Sequence, residues 1–122
     1  MDKEYKILIN NAKTRVNGIS IKIEQLAKDI EDFVIAQMIA HDKTFINPGK
    51  CEKFRFWNKT EFCLDGIKYI KGEIILYFKY MFYNEIEGSI IKIVDLPYKE
   101  QVKFLEWFIN EVVIPENFTT YF

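Results

Sequence analysis

The chain has 122 residues, 49% hydrophobic and 29% charged, the length and balance of one folded domain with room for a single core. Seventeen Lys and Arg against eighteen Asp and Glu leave a formal charge of −1, and only Arg15 and Arg55 supply a guanidinium fork. Neither net charge nor arginine content therefore draws the chain to nucleic acid or anionic lipid. No apolar run approaches the ~20 residues of a membrane span, and residues 1–6 are too polar for a secretory leader. These features predict one soluble domain over residues 1–122, cytoplasmic and without a membrane partner.

In chain order, Tyr5, Leu8, Ile9, Ala12 and Val16 fall on one helical face, which predicts a helix over 3–16 that stops at Asn17-Gly18. Ser20 is the expected N-cap of a second helix. Ile23, Leu26, Ala27, Ile30, Phe33, Val34 and Met38 carry it to about His41. Its last half is apolar nearly all round, which predicts cover on several sides. Asn47-Pro48-Gly49 forbids further helix and marks a change to extended chain.

Period two then takes over. Residues 51–58 and 60–64 read as strands, and Asp65-Gly66 has the chemistry of a two-residue hairpin turn. That turn would pair Leu64 with Ile67 and Phe62 with Tyr69 on one face, with Cys63 opposite Lys68 on the other. Lys71-Gly72 is a second turn. Residues 73–83 form a long strand whose even positions, Ile74, Leu76, Phe78, Tyr80 and Phe82, should face the helices. Residues 84–88 turn the chain into a last strand over 90–94. Asp95 before Leu96-Pro97 is the order of an N-cap followed by a first-turn proline, and a third helix over 97–113 ends at Pro115. The aromatic tail, Phe118, Tyr121 and Phe122, is expected to dock on the body or on a second copy. The predicted fold is α+β: two N-terminal helices, an antiparallel meander of about four strands and one C-terminal helix.

The residues that could carry chemistry are few. A lone histidine, His41, rules out a multi-histidine zinc site, and the spacing of His41, Cys51 and Cys63 matches no zinc signature. No metal or other cofactor is expected. The two cysteines are expected as free strand thiols, and a thiol nucleophile would need His41 and an orienting acid such as Asp42 beside one of them. Paired carboxylates, Glu31 with Asp32 and Glu85 with Glu87, sit where solvated faces or turns are expected, so acid–base work is disfavoured. The glycines, Gly18, Gly49, Gly66, Gly72 and Gly88, are isolated, which leaves no phosphate loop or dinucleotide fingerprint.

Two side-chain sets have the composition of a binding surface. The odd positions of the long strand, Ile75, Tyr77, Lys79, Met81 and Tyr83, mix aromatics, methionine and long-stemmed lysine as interfaces do. A helix or the tail covering that face is the competing account. Lys53, Arg55, Trp57 and Lys59 alternate basic and aromatic residues, a pattern that stacks and neutralises single strands; protection of an edge strand is the competing account. The resulting expectation is a non-enzymatic module that binds another protein, a second copy of itself included, with nucleic acid disfavoured. Inhibitors, immunity proteins and phage or mobile-element counter-defence proteins share this size and type. The alternatives are an apolar ligand pocket lined by Phe54, Phe56, Phe78, Tyr80 and Phe82, or a cysteine-dependent enzyme.

Overall fold

The computed structural model describes residues 3–17, 23–56, 60–82 and 85–118. They form the expected α+β arrangement. Two helices, α1 (Lys3–Asn17) and α2 (Ile23–Ala40), precede strands β1 (Phe45–Ile46), β2 (Lys53–Phe56), β3 (Thr60–Ile70), β4 (Glu73–Phe82) and β5 (Glu85–Ile91), and α3 (Tyr98–Phe108) follows. The start of α2 lies close to its expected place, and Gly18 and Ser20 lie outside the described residues.

The antiparallel sheet runs β1-β3-β4-β5, and β2 joins the same edge of β3 further along. The first edge is thus split into two short pieces. β1 pairs Phe45 with Lys68 and Ile46 with Ile67, whereas β2 pairs Lys53 with Cys63 and Arg55 with Glu61. The crossover between them is tied by Leu64 N–H donating to Glu52 C=O at 2.9 Å. Two residues are too few to show a period, which is why β1 has no signature in the sequence.

Asp65-Gly66 is not the hairpin turn. β3 runs straight through it, with a bulge between Leu64 and Gly66, and pairs with β4 from Cys63↔Lys79 to Ile70↔Glu73. The tight turn is at Lys71 and Gly72, whose φ values of 51° and 81° are both positive, as the right-handed twist of a two-residue hairpin requires. Gly66 has a different use. A Cβ placed on it would lie 2.8 Å from Cζ of Phe45, so the Phe45 ring packs directly over bare backbone.

Of the even positions of β4, Ile74, Leu76 and Phe78 face the helices as expected and are buried, together with Phe54, Phe56, Phe62, Leu64 and Ile67 from β2 and β3; Tyr80 is half-buried, and the Phe82 side chain lies outside the described residues. α2 lies against β4, α3 against β2, and α1 against α3. Helical spacing on α2 buries Leu26, Ile30, Val34 and Met38, but its last turn is not covered on several sides, because Ile39 is 60% exposed. α2 closes with Lys43 N–H donating to Met38 C=O at 2.8 Å and Asp42 N–H to Ile39 C=O at 3.0 Å. Asp42 takes the left-handed conformation, φ 54°, that this closure uses.

The last strand begins at Glu85 and ends at Ile91, so residues 85–88 extend the sheet instead of turning the chain. Val94 belongs to a 3-10 turn, Ile93–Asp95. Asp95 does act as a cap, but for that turn: its Oδ2 accepts from Lys92 N–H at 2.9 Å, and the position before α3 is Pro97. α3 continues into a π-helical turn, Ile109–Val113, whose wider winding leaves Ile109, Val112 and Val113 all buried. Beyond it Phe118 is buried, stacked on His41 at 3.8 Å between ring centroids and edge-on to Phe108 at 6.3 Å. The tail therefore docks on the body as far as Phe118, while Tyr121 and Phe122 lie outside the described residues.

Candidate functional site

Strand alternation and register assemble the second face of the sheet. The pairings Phe45↔Lys68, Lys68↔Ile75, Gly66↔Tyr77 and Tyr77↔Ile90 place these residues on one side, opposite the side whose residues fill the core. Among the described residues this outer side is incompletely covered: Phe45, Ile75 and Tyr77 are half-buried and Ile90 is 65% exposed. Phe45 over Gly66, Tyr77, Ile75 and Ile90 form an apolar centre. Of the sequence-derived interface set, Ile75, Tyr77 and Lys79 lie on this side. Met81 belongs to β4, but its side chain lies outside the described residues, as does Tyr83.

The competing basic set comes to the same side. Lys53 and Arg55 are exposed and stand opposite Cys63 and Glu61, whereas Trp57 and Lys59 lie outside the described residues. Their charge is largely answered within the chain: Arg55 Nη2 is 2.5 Å from Glu61 Oε1 and Lys53 Nζ 3.8 Å from Glu61 Oε2. Lys79 Nζ is likewise 3.1 Å from Asp65. Such a row protects an edge strand and gives little phosphate attraction. Sequence reasoning missed Phe45 and Ile90. Ile90 was accessible through the alternation of β5, had the strand been started at Glu85.

The cysteines are not free. Cys51 and Cys63 are joined in a disulfide, with Cα atoms 5.2 Å apart, and there are no free cysteines. The register explains it: Lys53 opposes Cys63, so Cys51, two residues earlier, sits diagonally from Cys63 on the same outer side. Both sulfurs are committed to the bridge, and His41 stacks on Phe118. The thiol, imidazole and acid that a cysteine nucleophile needs are not assembled.

Phe54, Phe56 and Phe78 of the ligand-pocket set are packed together and Tyr80 meets Phe62, while the Phe82 side chain lies outside the described residues. Phe56 stacks on Phe62 at 4.3 Å and meets Phe78 at 5.0 Å, and Phe54 meets Phe78 at 5.7 Å. These rings fill the volume that a ligand would need. Lys103 closes the side of this cluster, with its Nζ 5.1 Å from the Phe54 centroid.

A third, polar group was not read from the sequence. Glu31 on α2 accepts from Ile74 N–H at the start of β4, at 3.1 Å, and Glu73 accepts from Lys92 Nζ at 3.0 Å. That hydrogen bond, and then the carboxylate charge, raises the Lys92 pKa above its ordinary 10.5. The group lines a depression of about 160 Å³ with Ala27, Lys28, Ile93 and Val94. Its contacts tie helix to sheet, which is a structural use.

Among the described residues no cluster of three or more potential metal ligands occurs, and no helix is long and apolar enough to cross a membrane. No family model, curated protein or solved structure matches the chain.

Proposed function

We propose that the chain acts by binding another protein through the outer side of its sheet, around Tyr77, Ile75 and Ile90. The supporting observation is Ile90, 65% exposed and directly opposite Tyr77 across the β4–β5 pair. A half-exposed tyrosine beside an open isoleucine is a usual composition for the centre of an interface. Lys68 and Lys79 border the apolar centre and would set orientation at the rim. Action as an inhibitor, immunity or phage counter-defence protein, and self-association across this side, are narrower forms of the same proposal. A cytoplasmic location is also part of it, and there the Cys51–Cys63 bridge would meet a reducing thiol pool.

The test compares the wild-type chain with Tyr77→Asp and Ile90→Asp in capture from source lysate, with light scattering of the eluate. The expected result is a stoichiometric partner or a homodimer that both substitutions abolish while circular dichroism stays unchanged. A monomer that captures nothing, or captures equally in all three forms, overturns the reading.

A further inference from the structure

We propose that the Cys51–Cys63 bridge is a thiol–disulfide exchange site, opened by a dithiol reductant while the helices and the sheet core remain folded. Access supports the first half. Cys51 is exposed and Cys63 partly so, and both line a depression of about 210 Å³ together with Asn47, Lys50, Asp65 and Lys79. Lys79 on this rim is paired with Asp65 at 3.1 Å, which leaves the Lys50 ammonium to favour an approaching thiolate and the thiolate that leaves.

Placement supports the second half. The bridge fastens the 47–52 crossover between two short edge pieces and does not build the core. β2 is held independently, since Phe54 and Phe56 are buried and pack on Phe78, Phe62 and Phe104. Without the bridge, the crossover keeps the Gly49 N–H donation to Asn47 Oδ1 at 2.9 Å, the Leu64–Glu52 hydrogen bond and a loose, half-exposed Glu52–Lys103 ion pair at 4.0 Å. A segment with so few ties opens locally before the body does.

The step balances as an exchange. A reductant thiolate attacks Sγ of the more exposed Cys51, the S–S bond breaks, and Cys63 departs as a thiolate. The second thiol of the reductant, as its thiolate, then attacks the reductant's own sulfur in the mixed disulfide and releases the Cys51 thiolate. Two electrons pass to the bridge, and the two protons given up by the dithiol protonate the cysteines. The proposal needs no partner on the sheet face, so it stands or falls separately from the binding reading.

The experiment treats the full chain with dithiothreitol in native buffer, alkylates it, and reads intact mass, near-ultraviolet circular dichroism and amide hydrogen exchange. Expected are alkylation of both cysteines, an unchanged aromatic spectrum, and exchange that rises severalfold over residues 44–52 and at Leu64 while α2 and β4 keep their protection. The Cys51→Ser/Cys63→Ser double variant should reproduce that exchange pattern. A bridge that resists reduction until denaturant is added overturns the proposal. So does loss of the aromatic spectrum on reduction, or failure of the double variant to fold, because either makes the bridge a staple of the whole fold.

Discussion

Replacing Gly66 with alanine tests the reading of the bulge most directly. The new methyl would start 2.8 Å from Phe45 Cζ and 3.0 Å from Cε2, so the ring must leave. Overpacking costs about 1–3 kcal/mol, and the low end, about 1.5, applies because Phe45 is half-exposed on a two-residue edge strand and can swing toward solvent. Against that, alanine in a strand is favoured over glycine by roughly 0.5–1 kcal/mol, and Gly66 is not among the positive-φ residues, so its backbone accepts a side chain. The net expectation is a loss of roughly 0.5–1 kcal/mol for Gly66→Ala. In a Phe45→Ala background the obstacle is gone, and Gly66→Ala should instead stabilise by roughly 0.5–1 kcal/mol. Urea unfolding of the four proteins yields the coupling, expected near 1.5 kcal/mol and well beyond the ~0.5 that independent sites show. Effects of the same sign and size in both backgrounds would refute the close approach.

The remaining expectations concern the ties between layers. Glu31→Ala removes the acceptor for Ile74 N–H; a loss of about 1–2 kcal/mol in urea unfolding is expected, with faster exchange of the Ile74 amide and partial retention in Glu31→Gln. Glu73→Gln removes the carboxylate charge and leaves only a neutral acceptor for Lys92, which weakens both leading causes of its raised pKa, so a side-chain NMR titration should show Lys92 moving down toward 10.5. Because the folded value lies above the unfolded one, the stabilisation from this pair is fully present below the unfolded pKa. It is lost as pH rises through the folded pKa, so wild type and variant should converge only in strong alkali. Phe118→Ala deletes a buried ring stacked on His41; its residual 8% exposure puts the expected loss at about 2–3 kcal/mol, just below core Phe→Ala values, and thermal unfolding measures it.

What was legible in the sequence is what periodicity encodes. The three helices and the inward row Ile74, Leu76 and Phe78 follow from spacing alone, because burial on one face forces a 3.6- or 2-residue repeat. The Asp65-Gly66 error is instructive in the same terms. Phe62 and Leu64 are inward on even numbers and Ile67 on an odd one, so parity reverses between them. A two-residue turn and a bulge both reverse parity, and turn chemistry alone cannot separate them. The deciding fact lies elsewhere in the chain: Phe45 requires a glycine beneath it, and the true turn at Lys71-Gly72 already closes the hairpin. The element that Asp95 caps and the early start of β5 were missed for a similar reason, since a 3-10 turn and a strand of mixed composition carry weak local signals.

The candidate site was legible only in pieces, because it depends on register. Sequence alternation separates Ile75, Tyr77 and Lys79 from the core row, and Lys53 and Arg55 from Phe54 and Phe56. Pairing of β2 with β3 and of β3 with β4 then brings both sets to one side, along with Cys51 and Cys63. The same pairing separates their uses. Basic residues near the β2 edge are answered by Glu61, and the cysteines clasp the crossover, whereas Tyr77 and Ile90 have no such internal employment. Ile90 adds little to folding at 65% exposure, since apolar side chains stabilise through the area they remove from water. An exposed isoleucine opposite a half-exposed tyrosine, with Phe45 on the same side, is apolar surface left in water, and the binding proposal gives it a use. That asymmetry between answered charges and unanswered apolar surface is what the proposal of protein binding, in preference to nucleic-acid binding, rests on.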